Sequence, residues 1–242
     1  MMTALIVARG LTKAYDLLPV LRRIDLDIAR GECVALLGAN GSGKSTLLRL
    51  LSGLSKPSSG EITVGGWQLP REAAAVRGQI GMVGHKGLLY ENLSARENLQ
   101  FFARLYNLPS PEREARVESL LRRVGLGRRA DDRVRGFSRG MQQRLSIARA
   151  LLHEPDVLLL DEPYTGLDQD GAALLDDLIA EGRAAGRTIL LSTHDLERAS
   201  MLAARALILA SGRIAYDGAV TGGAALIERY AAVTGAASGQ PV

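Results

Sequence analysis

The stretch GANGSGKS, Gly38 to Ser45, fits the pattern G-x-x-x-x-G-K-[ST]. Glycines at this spacing let backbone N–H groups turn inward around phosphate oxygens. Lys44 supplies a cation to the β- and γ-phosphates of a nucleotide, and Ser45 offers a hydroxyl to Mg²⁺. The helix that opens at this point aims its positive end at the same anion. Gly38, Ala39, Asn40, Gly41, Ser42, Gly43, Lys44, Ser45 and Thr46 are therefore the candidate phosphate-binding set. The bland alternative is a glycine-rich turn that binds nothing. The apolar ECVALLG before it and the helical TLLRLLSGL after it favour phosphate.

A second group is VLLLDEP, Val157 to Pro163, an apolar strand ending in two carboxylates. Asp161 suits a water-mediated Mg²⁺ contact. Glu162 points elsewhere and suits orienting or deprotonating a water. Such a pair can also merely start a helix, but the phosphate loop makes the chemical reading the stronger one. A third group is GFSRGMQQRLSIARAL, Gly136 to Leu151, where Ser138 and Gly140 stand at a helix start and form a second anion-binding end. His85 follows the short strand QIGMV and enters a loop. Nothing local decides whether it faces a charged centre or only solvent.

The elements that must position these residues can be read from patterning. LIVARGL and IDLDIA alternate with period 2, as strands with one wet face do. ECVALLG, DVLLLD and RTILLST are near-continuous apolar runs, as in a parallel sheet covered on both sides. GEITVGG is a short strand, and RALILASGRIAYDG a hairpin turning at Ser211-Gly212. From Ser94 to about Glu154 the pattern is helical. Ser94 and Glu97 form a capping box, and Leu99, Phe102, Leu105 and Tyr106 share one face. Pro111, after Ser110, starts a helix, and another begins near Ser138. Further helices cover QDGAALLDDLIAEGRAAG, DLERASMLAA and roughly Gly223 to Thr234. The expected fold is α/β: a mostly parallel core sheet, antiparallel N-terminal strands and an inserted helical lobe at about residues 88–155. One domain is expected over 1–242, with a disordered tail expected at about 235–242.

Composition narrows the function. No apolar run reaches the roughly 20 residues of a membrane-spanning helix, and MMTALIVARG lacks a secretory signal's basic start and cleavage site. Cys33 is the only cysteine, so no internal disulfide forms and a reducing cytoplasm is expected. The net charge is +4, with nine arginines between Arg122 and Arg149. They read as a solvated helical face, or one near anionic lipid headgroups. A nucleic-acid partner is not expected, because stacking aromatics are scarce among them.

Ser138 and Gly140, with Gln142, Gln143 and Arg144 after them, resemble the signature motif of ABC-transporter ATPases, usually L-S-G-G-Q. Phe137, Arg139 and Met141 depart from it. TGLD, Thr165 to Asp168, resembles that family's D-loop, and STHD, Ser192 to Asp195, its switch loop. The resemblance implies a P-loop ABC ATPase cassette that binds ATP with Mg²⁺ and hydrolyses it. It implies a homodimer in which two cassettes sandwich ATP, each phosphate loop facing the partner's Ser138 and Gly140. It gives His194 a γ-phosphate contact, and Tyr15 the adenine stack, although a lone tyrosine is more often core. It puts His85 where the family carries a glutamine at the metal-phosphate centre. It further implies an integral membrane permease subunit, with the cassette peripheral on the cytoplasmic face of the inner membrane.

The Gly84–His85 pair and the SARENLQFFARLYNL segment resemble the ATP-binding subunit of the haem exporter of bacterial cytochrome c maturation. That implies haem export, or haem-chaperone release, within a haem-handling membrane complex. The alternative is the ATPase of a general ABC-2-type exporter. A non-transport ABC ATPase of translation or DNA repair fits less well, since those chains carry two cassettes or long insertions. A P-loop phosphotransferase would leave FSRGMQQR unexplained.

Overall fold

The computed structural model describes residues 4–84 and 88–235. The N-terminal strands β1 (Ala4–Tyr15) and β2 (Leu18–Ala29) pair antiparallel. With β4 (Ser59–Val64) and β5 (Trp67–Leu69) they make a four-stranded sheet in the order β2-β1-β4-β5. The second sheet contains β3 (Cys33–Leu37), β6 (Ile80–Val83), β7 (Val157–Asp161), β8 (Thr188–Ser192), β9 (Arg205–Ala210) and β10 (Arg213–Ala219). Its order is β10-β9-β3-β8-β7-β6, parallel throughout except for the β9–β10 hairpin. Ser211 and Gly212 both have positive φ, 48° and 75°, as a two-residue hairpin turn that follows strand twist requires.

Period 2 divides the parallel strands between two cores. Ala35, Leu37, Leu158, Leu160, Ile189, Leu191 and Ile208 face one way. They meet apolar residues of α3 (Ala95–Leu105), α4 (Ser110–Arg123), α5 (Arg139–Leu151), α6 (Gln169–Ala184), α7 (Leu196–Leu202) and α8 (Gly223–Thr234). Val34, Leu36, Val157, Leu159, Leu190 and Leu207 face the other way, onto α1 (Lys44–Leu51) and the antiparallel sheet. Burial on both faces is why these strands read as unbroken apolar runs. It also puts every residue that follows β3, β6, β7 and β8 at one edge, the carboxyl end of neighbouring strands.

The capping box at α3 is present: Ser94 Oγ accepts from Glu97 N at 3.1 Å and Glu97 Oε2 from Ser94 N at 2.7 Å. The α3 face differs from expectation in one respect. Leu99 is fully buried, but Leu105 is 61% exposed. Tyr106 instead stacks on His153, ring centroids 3.7 Å apart. The arginine run also needs correcting. Arg122, Arg128, Arg129, Arg133, Arg135 and Arg139 are exposed, but Arg149 is buried, donating to Met82 O at 2.5 Å under the Phe102 ring. The patterning predicts neither helix α2 (Ala73–Gln79) nor strand β5; both are too short for a periodic signal.

Candidate functional site

The phosphate loop owes its shape to its glycines. A side chain on Gly38 would place Cβ 2.4 Å from Leu209 O, and one on Gly43 would meet Leu21 at 2.7 Å. Both have positive φ, 150° and 109°. The loop lies against β9 and β2 and hands over to α1 at Lys44. Lys44 Nζ donates to Gly38 O at 2.6 Å and Ala39 O at 3.2 Å, and stands 4.0 Å from Glu162 Oε1. Burial lowers its pKa, against the pull of Glu162 and Asp161. A buried ammonium pinned by loop carbonyls offers a fixed cation to a phosphate oxygen.

The two carboxylates follow β7, and β8 organises them. Asp161 pairs in register with Ser192. Ser192 Oγ donates to Asp161 Oδ1 at 2.8 Å and accepts from Glu162 N at 3.1 Å, while Ser192 O accepts from the same N–H at 3.1 Å. Glu162 itself has φ 48°, a conformation uncommon for a side-chain-bearing residue. This turn parts the two side chains. Asp161 is 3% exposed and bound to Ser192, while Glu162 Oε2 lies 2.9 Å from His194 Nδ1. Two buried oxygens, Ser42 Oγ and Glu162 Oε1, have no hydrogen-bond partner among the described residues. Such orphans suit a ligand carrying both acceptors and donors. No three His, Cys, Asp or Glu gather into a metal cage among the described residues. Mg²⁺ seldom uses one; it is held by one or two carboxylates, phosphate and water, which Ser45 and Asp161 fit.

Lys44, Asp161, Glu162 and His194 are thus brought together. Ser138 and Gly140 are bonded elsewhere. Ser138 caps α5, its Oγ accepting from Met141 N at 3.3 Å. Gly140 packs so closely on the D-loop that an added Cβ would lie 2.9 Å from Gly166 O. Arg139, a departure from the usual motif, lays its aliphatic stem along Gly166. Among the described residues neither Ser138 nor Gly140 is hydrogen-bonded to the Lys44–Glu162 cluster. Tyr15 ends β1 with its ring 46% exposed and Lys13 Nζ 4.8 Å from the centroid, so it is not core. His85 lies outside the described residues.

Several contributors act through contacts that their motifs do not announce. Ser192 Oγ joins the Asp161 carboxylate to the Glu162 backbone N–H. Gln143 Nε2 donates to Pro163 O at 2.8 Å, tying α5 to the turn after Glu162. Arg144 Nη2 donates to Asp168 Oδ1 at 2.5 Å, and Asp168 also caps α6 by accepting from Gly171 N at 2.9 Å. Gln143 and Arg144 stood inside a quoted motif, and Ser192 opened another; only strand adjacency shows what they touch.

The fold and this strand-end cluster define a P-loop nucleotide hydrolase. Residues 21–165 match the family described as ABC transporter. The chain is 42% identical over 200 residues to the ABC transporter ATP-binding protein NatA of Bacillus subtilis, covering 82% of this chain and 81% of that protein. It is 42% identical to the daunorubicin resistance ATP-binding protein DrrA3 of Streptomyces coeruleorubidus, over 88% of this chain and 67% of that one. It is 40% identical to the Nod factor export ATP-binding protein I of Cupriavidus pinatubonensis, over 90% and 67%. A solved ATP-binding subunit of an ABC transporter superposes with TM-score 0.85 at 35% identity, covering 96% of this chain and 95% of that one. A dimeric ATP-binding cassette in a post-hydrolysis state with ADP and Pi superposes with TM-score 0.83 at 28% identity, over 90% and 99%. The chain therefore belongs to the ATP-binding subunits of ABC transporters, and is an ATP hydrolase. None of the relatives named here is a haem exporter, so the narrower expectation drawn from Gly84–His85 gains no support from them. Among the described residues no helix is long and apolar enough to cross a membrane.

Proposed function

We propose that this chain powers an ABC-2-type exporter whose membrane-spanning part is a separate subunit, with the cassette on its cytoplasmic face. The observation that carries the catalytic half is the convergence of Lys44, Asp161, Glu162 and His194 at one sheet edge. Lys44 and the loop N–H groups hold the phosphates; Tyr15 stacks on adenine. Ser45 and Asp161 hold Mg²⁺, which when bound neutralises phosphate charge. Glu162 orients and deprotonates the attacking water, while His194 contacts the γ-phosphate. Ser138 and Gly140 of a second copy complete each site, in keeping with the lack of a hydrogen bond between them and this copy's own cluster among the described residues. His85 takes the place of the family's glutamine. The exporter half rests on the names of the relatives. Haem export has only Gly84–His85 and the Ser94–Leu108 segment behind it.

The test has two arms. The purified chain should hydrolyse Mg-ATP, and Lys44→Ala should lose nucleotide binding; hydrolysis untouched by Lys44→Ala rejects the site. Co-expression with an ABC-2-type membrane subunit, chosen from the genes neighbouring this one, should give a complex whose ATP turnover exceeds that of the chain alone. A partner that leaves turnover unchanged rejects the exporter reading, and cytochrome-assembly genes among those neighbours would favour haem over the broader class.

A further inference from the structure

Asp176 lies in the middle of α6, where no motif draws attention to it. Its carboxylate accepts from Tyr164 Oη at 2.6 Å and from Arg198 Nη1 at 3.1 Å (Oδ1) and 2.9 Å (Oδ2). The Arg198 guanidinium also lies over the Tyr164 ring, 4.1 Å from its centroid. Arg198 Nε reaches toward Asp195 Oδ2 at 3.6 Å, and Asp195 Oδ1 caps α7 by accepting from Arg198 N at 2.9 Å. All three members of the clasp are partly buried. Burial first, then the Asp176 bond, pushes the Tyr164 phenol above its ordinary range, so it stays a donor.

The clasp draws on three elements: the loop after β7, the middle of α6 and the first turn of α7. Tyr164 is two residues beyond Glu162, and Arg198 four beyond His194. Glu162 and His194 are themselves in contact at 2.9 Å. The chain path from Glu162 to Tyr164, across Asp176 to Arg198 and back to His194 is therefore a closed ring, with the candidate hydrolytic pair at one end and Asp176 at the other. The pair has reason to need such a brace. Glu162 holds a sparsely populated backbone conformation, and the His194 side chain is 63% exposed on a loop with little packing to fix it. Reacting groups must be held to a fraction of an ångström, and side chains on loops reach that only when neighbours lock them.

We propose that Asp176 is a positioning residue for ATP hydrolysis, using Tyr164 and Arg198 to hold the Glu162 loop and the His194 loop at one fixed separation. This rests on reading Glu162 and His194 as the hydrolytic pair. A purely structural ion pair between α6 and α7 would affect melting; the clasp affects chemistry.

The experiment is single-turnover and steady-state ATP hydrolysis by the full chain carrying Asp176→Ala, Asp176→Glu, Tyr164→Phe or Arg198→Met, alone and with His194→Ala. Asp176→Ala should lower kcat about tenfold or more while leaving KM for ATP nearly unchanged, because the Lys44 loop is untouched. Asp176→Glu should restore part of the loss. In the His194→Ala background, Asp176→Ala should cost little further, since the geometry it guards is already gone. Tyr164→Phe deletes one hydroxyl, keeps the ring under Arg198 and carries the same test should Asp176→Ala fail to fold. Normal kcat in Tyr164→Phe and Asp176→Ala, or a loss fully additive with His194→Ala, overturns the proposal. Loss of turnover in Glu162→Gln and His194→Ala alongside normal clasp variants removes the clasp alone. Retained turnover in Glu162→Gln and His194→Ala removes the hydrolytic pair and the clasp together.

Discussion

Ser192 shows how one hydroxyl can hold a carboxylate and the backbone of its neighbour at once. It donates to Asp161 and accepts from the backbone of Glu162, fixing the turn that separates them. Ser192→Ala should lower stability by about 1–2 kcal/mol, because it strips a buried acceptor of its donor. It should lower kcat more than it raises KM, since Glu162 loses one of the bonds holding its backbone. Thermal melting and steady-state ATPase on the same preparation check both; an unchanged kcat would mean that Ser192 O alone fixes the turn. At this scale legibility followed contiguity. GANGSGKS, VLLLDEP and STHD name their own chemistry because neighbouring residues do the work. Ser192's link to Asp161 spans 31 positions and Tyr164's to Asp176 spans 12, and both exist only because β7 lies beside β8 and α6 runs back across them.

Elements were legible where a local signal was complete. The Ser94–Glu97 box, the Ser211-Gly212 turn and the two-sided apolar strands need no tertiary knowledge. Leu105 and Arg149 misled because periodicity says which residues share a face, not which partner that face meets. A neighbouring consequence is testable. His153 stacks on Tyr106, and its pKa is lowered from 6.5 to about 4, by burial first and then by Arg149, Arg116 and Arg187, with the Ile80 backbone opposing. The folded state therefore refuses a proton that the unfolded chain accepts. Stability is undiminished above about pH 6.5 and falls as pH drops toward about 4, by about 3 kcal/mol in all. Asp131, held below its usual 3.8 by the Arg96 hydrogen bond, and Asp168, held there by the Gly171 N–H and Arg144, act at lower pH. Chemical denaturation at pH 7.5, 5.5 and 4.5 should show a shallower acid loss for His153→Phe, which keeps an aromatic ring against Tyr106. Parallel curves for the two proteins would contradict it.

The mostly parallel second sheet collects phosphate-handling groups at a single edge, and the signature turn packs on the D-loop of its own chain. On the proposed function, a second copy supplies the signature turn to that edge. A Ser138→Arg chain keeps a working phosphate loop, and a Lys44→Ala chain keeps a working signature turn. Each alone should be inactive, and their mixture should regain turnover at the one site whose halves are both intact. No recovery on mixing, or full activity of Ser138→Arg by itself, would mean that the site is not shared.

The most direct measurement concerns Glu162. Purified Glu162→Gln, given Mg-ATP, should bind nucleotide through the intact Lys44 loop and retain it as ATP. Turnover should fall about 10²–10⁴-fold, as expected when a positioned base is lost. Light scattering should then find a dimer that forms with ATP and not without it. Near-normal turnover in this variant would contradict the account, because no base would then be acting from the position beside Asp161.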